Sequence, residues 1–318
     1  MPEPTPQTPQ TPPTSQTPQT PPTGRWPGGA RCAVVVSVDF DAELPLLAAS
    51  PEMARRAKTL SVGRYGATRG VDRLLREFAD QDVRTTWCVP GRQAETHPRL
   101  VRRIAEAGHE IANHGHDHED FDHLDLPAQR AVVERASAAL AEVTGVRPRG
   151  FRIPAGEWAH GFPDALAELG FTWTSSLRGD DLPYFHPTAG TGRLIEIPVH
   201  HELEDHPYFF FNLDPAFPAG QSRIASYEQV LGNWTTEFDA YRRFGLCYVL
   251  RLQPEVTGTP GRIRLVRELL EHVRRHDDVW LATAGEVADW WADTRPGNDP
   301  DHPAEVFARL AGDAEGAR

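Results

Sequence analysis

Short apolar runs alternate with amphipathic stretches along most of the chain. Runs such as CAVVVSVDF (Cys32 to Phe40) and CYVLRLQ (Cys247 to Gln253) are rich in β-branched and aromatic residues, which is typical of buried strands. AQRAVVERASAALAEVTG (Ala128 to Gly145) instead spaces its apolar residues as a helix does. About eight candidate strands separated by helices predict an α/β fold of right-handed βαβ units, closed into a (β/α) barrel rather than left as an open sheet.

The two ends of the chain differ from this pattern. The unit QTPQTPPT occurs at Gln7 to Thr14 and again at Gln16 to Thr23, with almost no apolar residues around it. Such a segment buries too little surface to offset the entropy of ordering, so residues 1–28 are predicted to form a disordered tail. A Pro-rich docking peptide is the alternative. The barrel is predicted over residues 29–295, followed by a C-terminal tail with a short helix over 296–318.

Composition narrows the classes of partner and location. The chain has a net charge of −12 and no basic cluster, which argues against nucleic acid and membrane surfaces as partners. Neither a signal-peptide pattern nor an apolar run of the ~18 residues that a membrane span needs is present, so a cytoplasmic location is predicted. Cys32, Cys88 and Cys247 lie in strand-like runs without CxxC spacing, as expected of buried thiols in a reducing compartment. Homo-oligomerisation is left open.

Titratable side chains follow several of the predicted strands. Asp39 and Asp41 end the first strand and point to the same side, because strand side chains alternate. Two carboxylates this close repel, so they form either half of a metal site or a solvated acidic turn. His114 and His118 follow the third strand; on a turn of helix their rings would share one metal, with His116 facing elsewhere. Since barrel strands end at one rim, we predict that these groups form a metal site.

An ordered set of motifs extends this prediction. VDFDAE, TTWCVPG, AGHEIANHGHDHE, GFRIPAGEW, SSLRGDD, EIPV and GEVADWW occur in this order between Ala30 and Trp291. In these motifs the chain resembles the polysaccharide deacetylase family of NodB homology, the family-four carbohydrate esterases. Within that family it is similar to the branch of peptidoglycan deacetylase-like proteins, allantoinase-like enzymes and cyclic imide hydrolases. The resemblance implies a distorted (β/α) barrel of the NodB type with one divalent metal ion, usually zinc.

The resemblance also implies a role for each of five residues. Asp41, His114 and His118 match the metal ligands, Asp39 matches the catalytic base, and Arg152 matches the arginine that pairs with that base. A zinc site of one carboxylate and two histidines leaves a position open for water and lowers the pKa of that water toward neutral. A structural salt bridge is the alternative for Arg152, and it is compatible with holding Asp39 ionised.

The seventh strand departs from the family pattern. Relatives end this strand in a His-Pro step whose histidine protonates the leaving nitrogen, whereas this chain has Gln253 before Pro254. A carboxamide donates a hydrogen bond but does not release a proton at neutral pH, so Gln253 is not a general acid. His200 and His201 stand after the sixth strand where relatives carry a small or polar residue and tryptophan, and one of them is a candidate substitute.

These observations predict a metal-dependent hydrolase of a non-peptide C–N bond, of deacetylase or imidase type, acting on a small cytoplasmic substrate. General-acid catalysis contributes ~10² to 10⁴-fold and matters most for basic amine leaving groups. Its loss therefore favours imides and good esters over the N-acetyl groups of sugars. The alternative is a family member that is inactive as a deacetylase or has a non-hydrolytic reaction.

Overall fold

The computed structural model describes residues 24–190, 192–212, 216 and 224–316 of the chain. Within them lie nine strands: Cys32–Asp39 (β1), Thr86–Val89 (β2), Glu110–Asn113 (β3), Gly150–Phe151 (β4), Trp173–Thr174 (β5), Tyr184–Phe185 (β6), Ile195–Glu196 (β7), Cys247–Leu252 (β8) and Val279–Ala282 (β9).

The helices of the described residues connect these strands and cover the sheet. They are Leu44–Ala49 (α1), Ala57–Tyr65 (α2), Val71–Asp80 (α3), Gly91–Thr96 (α4), Pro98–Glu106 (α5), Leu126–Thr144 (α6), Phe162–Glu168 (α7), His206–Phe209 (α8), Tyr227–Phe244 (α9), Pro254–Thr257 (α10), Ile263–Val273 (α11), Ala284–Thr294 (α12) and Pro303–Gly316 (α13). A π-helical turn, Gly66–Gly70, joins α2 to α3. No helix in the described part of the chain is both long and apolar enough to cross a membrane.

The strands form a distorted barrel of the predicted type. Their order is β6-β7-β5-β4-β3-β2-β1-β8, with β9 also on β1, and every pairing is parallel except that of β6 with β7. The segment after β7 closes the barrel, since Glu204 forms a β-bridge with Arg251 and the Asp205 amide donates to the Arg251 carbonyl at 3.1 Å. All these parallel strands therefore end near one rim.

Strand β1 organises the core. It pairs with β8 along one edge, and along the other with β9 at Cys32–Val35 and with β2 at Ser37–Asp39. All eight of its residues are buried, which explains the continuous apolar run in the sequence. Val34, Val36 and Val38 belong to one hydrophobic cluster, while Ala33 and Val35 belong to another. The strand thus has apolar neighbours on both faces and carries its terminal carboxylate into a dry environment.

The ends of the domain differ from the predicted boundaries. Trp26 is buried, with its ring centroid 6.1 Å from that of Trp280 and 5.8 Å from that of Trp291, so the folded domain already includes Gly24 to Gly29. At the other end, the Asn298 side chain accepts from the Phe185 amide and donates to the Phe185 carbonyl, both at 2.7 Å. The C-terminal segment contains the expected helix, but it docks on edge strand β6 instead of forming a tail. Residues 1–23 lie outside the described part, and their disorder stays a prediction.

Substituting Trp26 with alanine tests whether this N-terminal contact stabilises the barrel. Loss of a fully buried tryptophan leaves a cavity between Trp280 and Trp291, and we expect the free energy of unfolding to fall by ~3 to 5 kcal/mol in chemical denaturation. Deletion of residues 1–23 is the matched control, and it should leave the denaturation midpoint unchanged. Equal destabilisation by the deletion would show that the predicted tail packs on the domain.

Candidate metal and acid–base site

The loop after β3 delivers two histidines to the rim without forming a helix. Gly115 and His118 have positive φ angles of 68° and 58°, so the expected helical turn over His114 to His118 is absent. A Cβ at Gly115 would lie 2.9 Å from Glu119 Oε2 and 3.1 Å from Pro154 Cγ, which explains the glycine. The rings of His114 and His118 meet nevertheless, edge to face, with centroids 5.4 Å apart.

The loop is fixed by side chains that take no part in the histidine pair. Asn113 donates from Nδ2 to the Val133 carbonyl and to Ser137 Oγ, both at 2.9 Å, and its Oδ1 accepts from the Gly115 amide. His116 is buried but faces elsewhere, with Nε2 3.4 Å from Glu95 Oε1. The direction predicted for His116 therefore agrees with the structure, although the backbone conformation that produces it is different.

Asp41, His114 and His118 converge on one point. Their ligand atoms all lie within 4.8 Å of one another, with His114 Nε2 3.5 Å from Asp41 Oδ1 and His118 Nε2 3.7 Å from Asp41 Oδ2. His114 Nδ1 is 2.8 Å from the Arg152 carbonyl, a contact that orients Nε2 toward the aspartate. The three residues predicted from the sequence as ligands are thus brought together.

The cluster fits a divalent metal ion. Asp41 Oδ1 and His114 Nε2 are buried and have no hydrogen-bond partner among the described residues, a costly arrangement unless a cation lies between them. Burial lowers the pKa of His114 to about 4 and that of His118 to about 3, so both rings are neutral at pH 7, as metal ligands must be. Burial, reinforced by the charge of Asp39, raises the pKa of Asp41, and a bound cation would relieve this penalty.

Asp39 has the opposite electrostatic environment from Asp41. Arg152 Nη1 donates to Asp39 Oδ1 at 2.7 Å, and Arg251 Nε donates to Asp39 Oδ2. Burial alone would raise the pKa of this fully buried carboxyl, but the two guanidinium groups outweigh burial and hold the pKa well below its usual range. Asp39 is therefore ionised at neutral pH.

Arg152 is fixed by the strands around it. Its Nε and Nη2 donate to the carbonyl and Oγ of Ser175, both at 2.8 Å, and its Nη1 also donates to Ser37 Oγ at 3.0 Å. Only 2% of the side chain is exposed. These bonds leave the guanidinium one orientation, in which it faces Asp39.

Gln253 lies beside the metal-ligand cluster. Its Nε2 donates to Asp41 Oδ2 at 3.4 Å, and its Oε1 is buried without a partner in the described residues. The predicted position of Gln253 at the end of β8, on the rim, agrees with the structure. The residue contacts a ligand aspartate and contributes no titratable proton.

The structure does not bring His200 and His201 to the cluster. His200 Nε2 is 3.2 Å from both the Asp180 carbonyl and Asp181 Oδ1, and the Asp181 carbonyl accepts from the amide of Cys247, where β8 begins. That end of β8 lies about 20 Å from Gln253, at ~3.3 Å per strand residue. His201 is 65% exposed and has Nδ1 3.7 Å from Glu204 Oε1. Their role as a substitute acid stays a prediction, without support from these contacts.

Three charged groups at the rim escaped the sequence analysis: the partly buried Arg251 and the buried Asp205 and Glu255. Asp205 Oδ2 accepts from the Gln253 amide at 2.9 Å and from Thr257 Oγ1, while Oδ1 has no partner in the described residues. Burial raises the pKa of Asp205 to about 7 and also raises that of Glu255. Arg251 and Gln253 stand at alternate positions at the end of β8, and this alternation was the signal in the sequence for Arg251, whereas Glu255 lies in α10.

Two cavities lie beside or away from the metal-ligand cluster. One of about 370 Å³ is lined by Tyr65, Phe209, Phe210, Glu255 and Arg262, so the aromatic run HPYFFF contributes both to the core and to this wall. Another, of about 620 Å³, is lined by Glu110 and Arg149 at the opposite ends of the strands. Chemistry, not size, therefore identifies the candidate site.

A second group of metal-ligating side chains lies on the outer surface. Asp239 on α9 and His272 on α11 are 2.8 Å apart between Oδ1 and Nε2, and His276 lies within reach of both. Asp239 is 56% exposed, unlike any member of the rim cluster. This group serves below as a control for metal binding.

Comparisons with known proteins agree with this geometry. The polysaccharide deacetylase family model matches residues 64–174, which include His114, His118 and Arg152 but neither aspartate of the β1 end. A crystal structure from Mycobacterium smegmatis assigned to the polysaccharide deacetylases is 38% identical, with a TM-score of 0.82, covering 89% of this chain and 99% of that one. A structure of PuuE allantoinase is 24% identical, with a TM-score of 0.73, covering 88% of this chain and 96% of that one, and shows likeness of fold alone.

Two curated relatives are similar over shorter stretches. A peptidoglycan deacetylase of Helicobacter pylori is 24% identical over 255 residues, which are 72% of this chain and 86% of that protein. A peptidoglycan deacetylase-like protein of Gibberella zeae is 32% identical over 162 residues, which are 50% of this chain and 48% of that protein.

The metal prediction is tested by the ion content of purified protein. We expect about one tightly held divalent ion per chain, lost in His114→Ala and in His118→Ala because each removes a ligand. His116→Ala should keep the ion, since its ring faces Glu95. His272→Gln is the control for the surface group. Equal loss in all four variants, measured by metal mass spectrometry, would refute the ligand assignment.

Proposed function

This chain belongs to the polysaccharide deacetylase family, and from that premise we propose that it is a metal-dependent hydrolase of a non-peptide C–N bond in a small cytoplasmic substrate. The proposal rests above all on one observation: an ionised, arginine-held Asp39 stands two residues from Asp41, whose carboxylate meets two neutral histidines. A binding protein has no need of an oriented base beside a metal site. The names of the peptidoglycan deacetylase relatives support C–N hydrolysis as the proposed chemistry.

Asp41, His114 and His118 would hold the ion. When bound there, a divalent ion such as zinc supplies Lewis-acid polarisation of the acyl oxygen. Gln253 Nε2 donates to the Asp41 carboxylate and helps to keep it in place, and the His114 ring is held by the Arg152 carbonyl. The residues of this chain thereby fix the ligand geometry.

Asp39 would take the proton from the attacking water. A carboxylate offers about four acceptor positions, so the bonds from Arg152 and Arg251 leave further lone pairs for that proton. The two guanidinium groups keep Asp39 ionised across the neutral range, which guarantees the acceptor form at the cost of basicity. Water adds across the C–N bond, with its oxygen bonded to the acyl carbon and a proton transferred to the nitrogen.

The leaving nitrogen receives that proton without a histidine at position 253. An imide nitrogen departs as a stabilised anion, while an alkylamine needs a proton before it leaves, so the site favours cyclic imides and similarly activated acyl compounds. The same observation supports a second candidate, a protein that is inactive as a deacetylase or has a non-hydrolytic reaction. An assay of cyclic imides, allantoin, acetylated amino sugars and activated acetate esters, each with and without zinc, separates these candidates.

Asp39→Asn tests the proposed base. The change removes the proton acceptor but preserves the shape of the side chain, so turnover of any substrate found in the panel should fall at least 10³-fold. Metal content should stay near that of the unmodified protein, because Asp39 is not a ligand. A variant that keeps its metal and more than a tenth of its turnover would exclude Asp39 as the base.

Gln253→His tests the missing acid. A histidine at the end of β8 places an ionisable donor beside the leaving nitrogen, so kcat on N-acetyl amines should rise by ~10²-fold, whereas kcat on imides should change little. Gln253→Asn, which shortens the side chain without adding a titratable group, is the control. A rise of equal size for both substrate classes would argue against a role in leaving-group protonation.

A further inference from the structure

Arg251 makes a contact with Glu204 that the proposed chemistry does not use. Its Nε donates to Asp39 Oδ2 and its Nη1 lies 3.3 Å from Glu204 Oε2, whereas Arg152 already orients Asp39 through the other oxygen. The Nη2 group of Arg251 has no hydrogen-bond partner within the described residues, and it is not completely buried. The side chain is 17% exposed, against 2% for Arg152. Arg251 is therefore the more exposed of the two arginines that hold Asp39.

A second arginine lies at the same place. Arg178 Nη2 is 3.3 Å from Glu204 Oε1, so the two oxygens of Glu204 hold one guanidinium each. Arg178 is 40% exposed, while Glu204 is 8% exposed. One buried carboxylate thus binds two arginines, of which Arg251 is 17% exposed and Arg178 is 40% exposed.

The charges around Asp39 balance only in the absence of a metal ion. Arg152, Arg178 and Arg251 bring three positive charges, and Asp39, Glu204 and Asp41 bring three negative ones, while burial raises the pKa of the neighbouring Asp205 and Glu255 and so favours their neutral forms. A divalent ion on Asp41 would create a local positive excess, although the whole chain has a net charge of −12. A local positive field with low-dielectric walls favours an anion. Guanidinium groups fit planar carboxylates in particular, because their donors form a fork.

We propose that Arg251, assisted by Arg178, binds a carboxylate of the substrate and so determines specificity. The substrate class is then an N-acyl amine or cyclic imide that carries a carboxylate near the scissile C–N bond. This assignment rests on the proposed hydrolase function. Arg251 aligns Asp39 through Nε and presents Nη2 to the substrate, so one side chain links the position of the base to that of the anionic group.

A binding experiment on zinc-loaded full-length protein tests the anion site with two probes, malonate and malonamide, which have similar shape and different charge. Calorimetric titration should show malonate binding at least tenfold more tightly than malonamide. Arg251→Gln should weaken malonate at least tenfold with metal content retained, and Arg178→Gln should weaken it severalfold. Arg149→Gln, which removes a half-exposed partner of Asp289 elsewhere, is the matched control and should bind as the unmodified protein does.

Unchanged malonate affinity in both Arg251→Gln and Arg178→Gln would overturn the proposal. That result would mean that malonate binds through the zinc ion alone, because such binding does not need either arginine. Should Arg251→Gln fail to fold, the malonate affinity of Arg178→Gln still tests the proposal, since the Arg178 side chain is 40% exposed and its loss should not prevent folding. Inorganic phosphate bound more tightly than malonate would also overturn the carboxylate assignment.

A kinetic experiment separates this inference from the proposed function. N-acetylglycine is compared with N-acetylglycinamide, and a cyclic imide bearing a ring carboxylate with the same imide lacking it. We expect kcat/KM to favour the charged member at least tenfold, and Arg251→Gln to abolish that preference. Equal kcat/KM for both members would agree with the proposed hydrolase function and contradict the proposed anion site. Malonate binding through Arg251 without turnover of any substrate would agree with the anion site and contradict the hydrolase function.

Discussion

The carboxylate of Asp39, buried between two guanidinium groups, is the interaction on which the rim depends. It joins the end of β1 to Arg152, which follows β4, and to Arg251 in β8, three elements far apart in the sequence. Removing one partner of such a buried pair costs ~3 to 5 kcal/mol, because the remaining charge stays desolvated. The strand ends must therefore converge within hydrogen-bond distance, and this convergence also places Asp41 beside the histidines.

Two aspartates on one strand end acquire different properties from their surroundings. Asp39 has an arginine on each oxygen and stays ionised, whereas burial and the charge of Asp39 raise the pKa of Asp41. A group of the first kind suits proton acceptance from a fixed position, and one of the second kind suits a cation that compensates its charge. The division of roles implied by the family resemblance thus has a physical basis in the neighbours of each residue.

The sequence allowed the barrel and the meeting of Asp41, His114 and His118 to be predicted, because apolar periodicity defines parallel strands and such strands end together. It did not reveal the backbone of the histidine loop, where Gly115 and His118 adopt positive φ angles and a side chain at position 115 would meet Glu119 and Pro154. The partners of Trp26 lie more than 250 residues away, so no local pattern could place it in the core. Arg251 looked like a polar interruption of a buried strand.

Arg251 and Gln253 occupy alternate positions of one strand, so both side chains reach the same face of the rim. At the second position the chain has a carboxamide, which under the proposed function would favour leaving groups that depart without a proton donor. At the first, a guanidinium adds positive charge next to Asp39. Under the proposed function the two features would act in the same direction, since a carboxylate on the substrate would supply binding energy that helps position the reacting carbonyl. Energy of this kind is independent of proton donation, so it would offset part of what a general acid contributes.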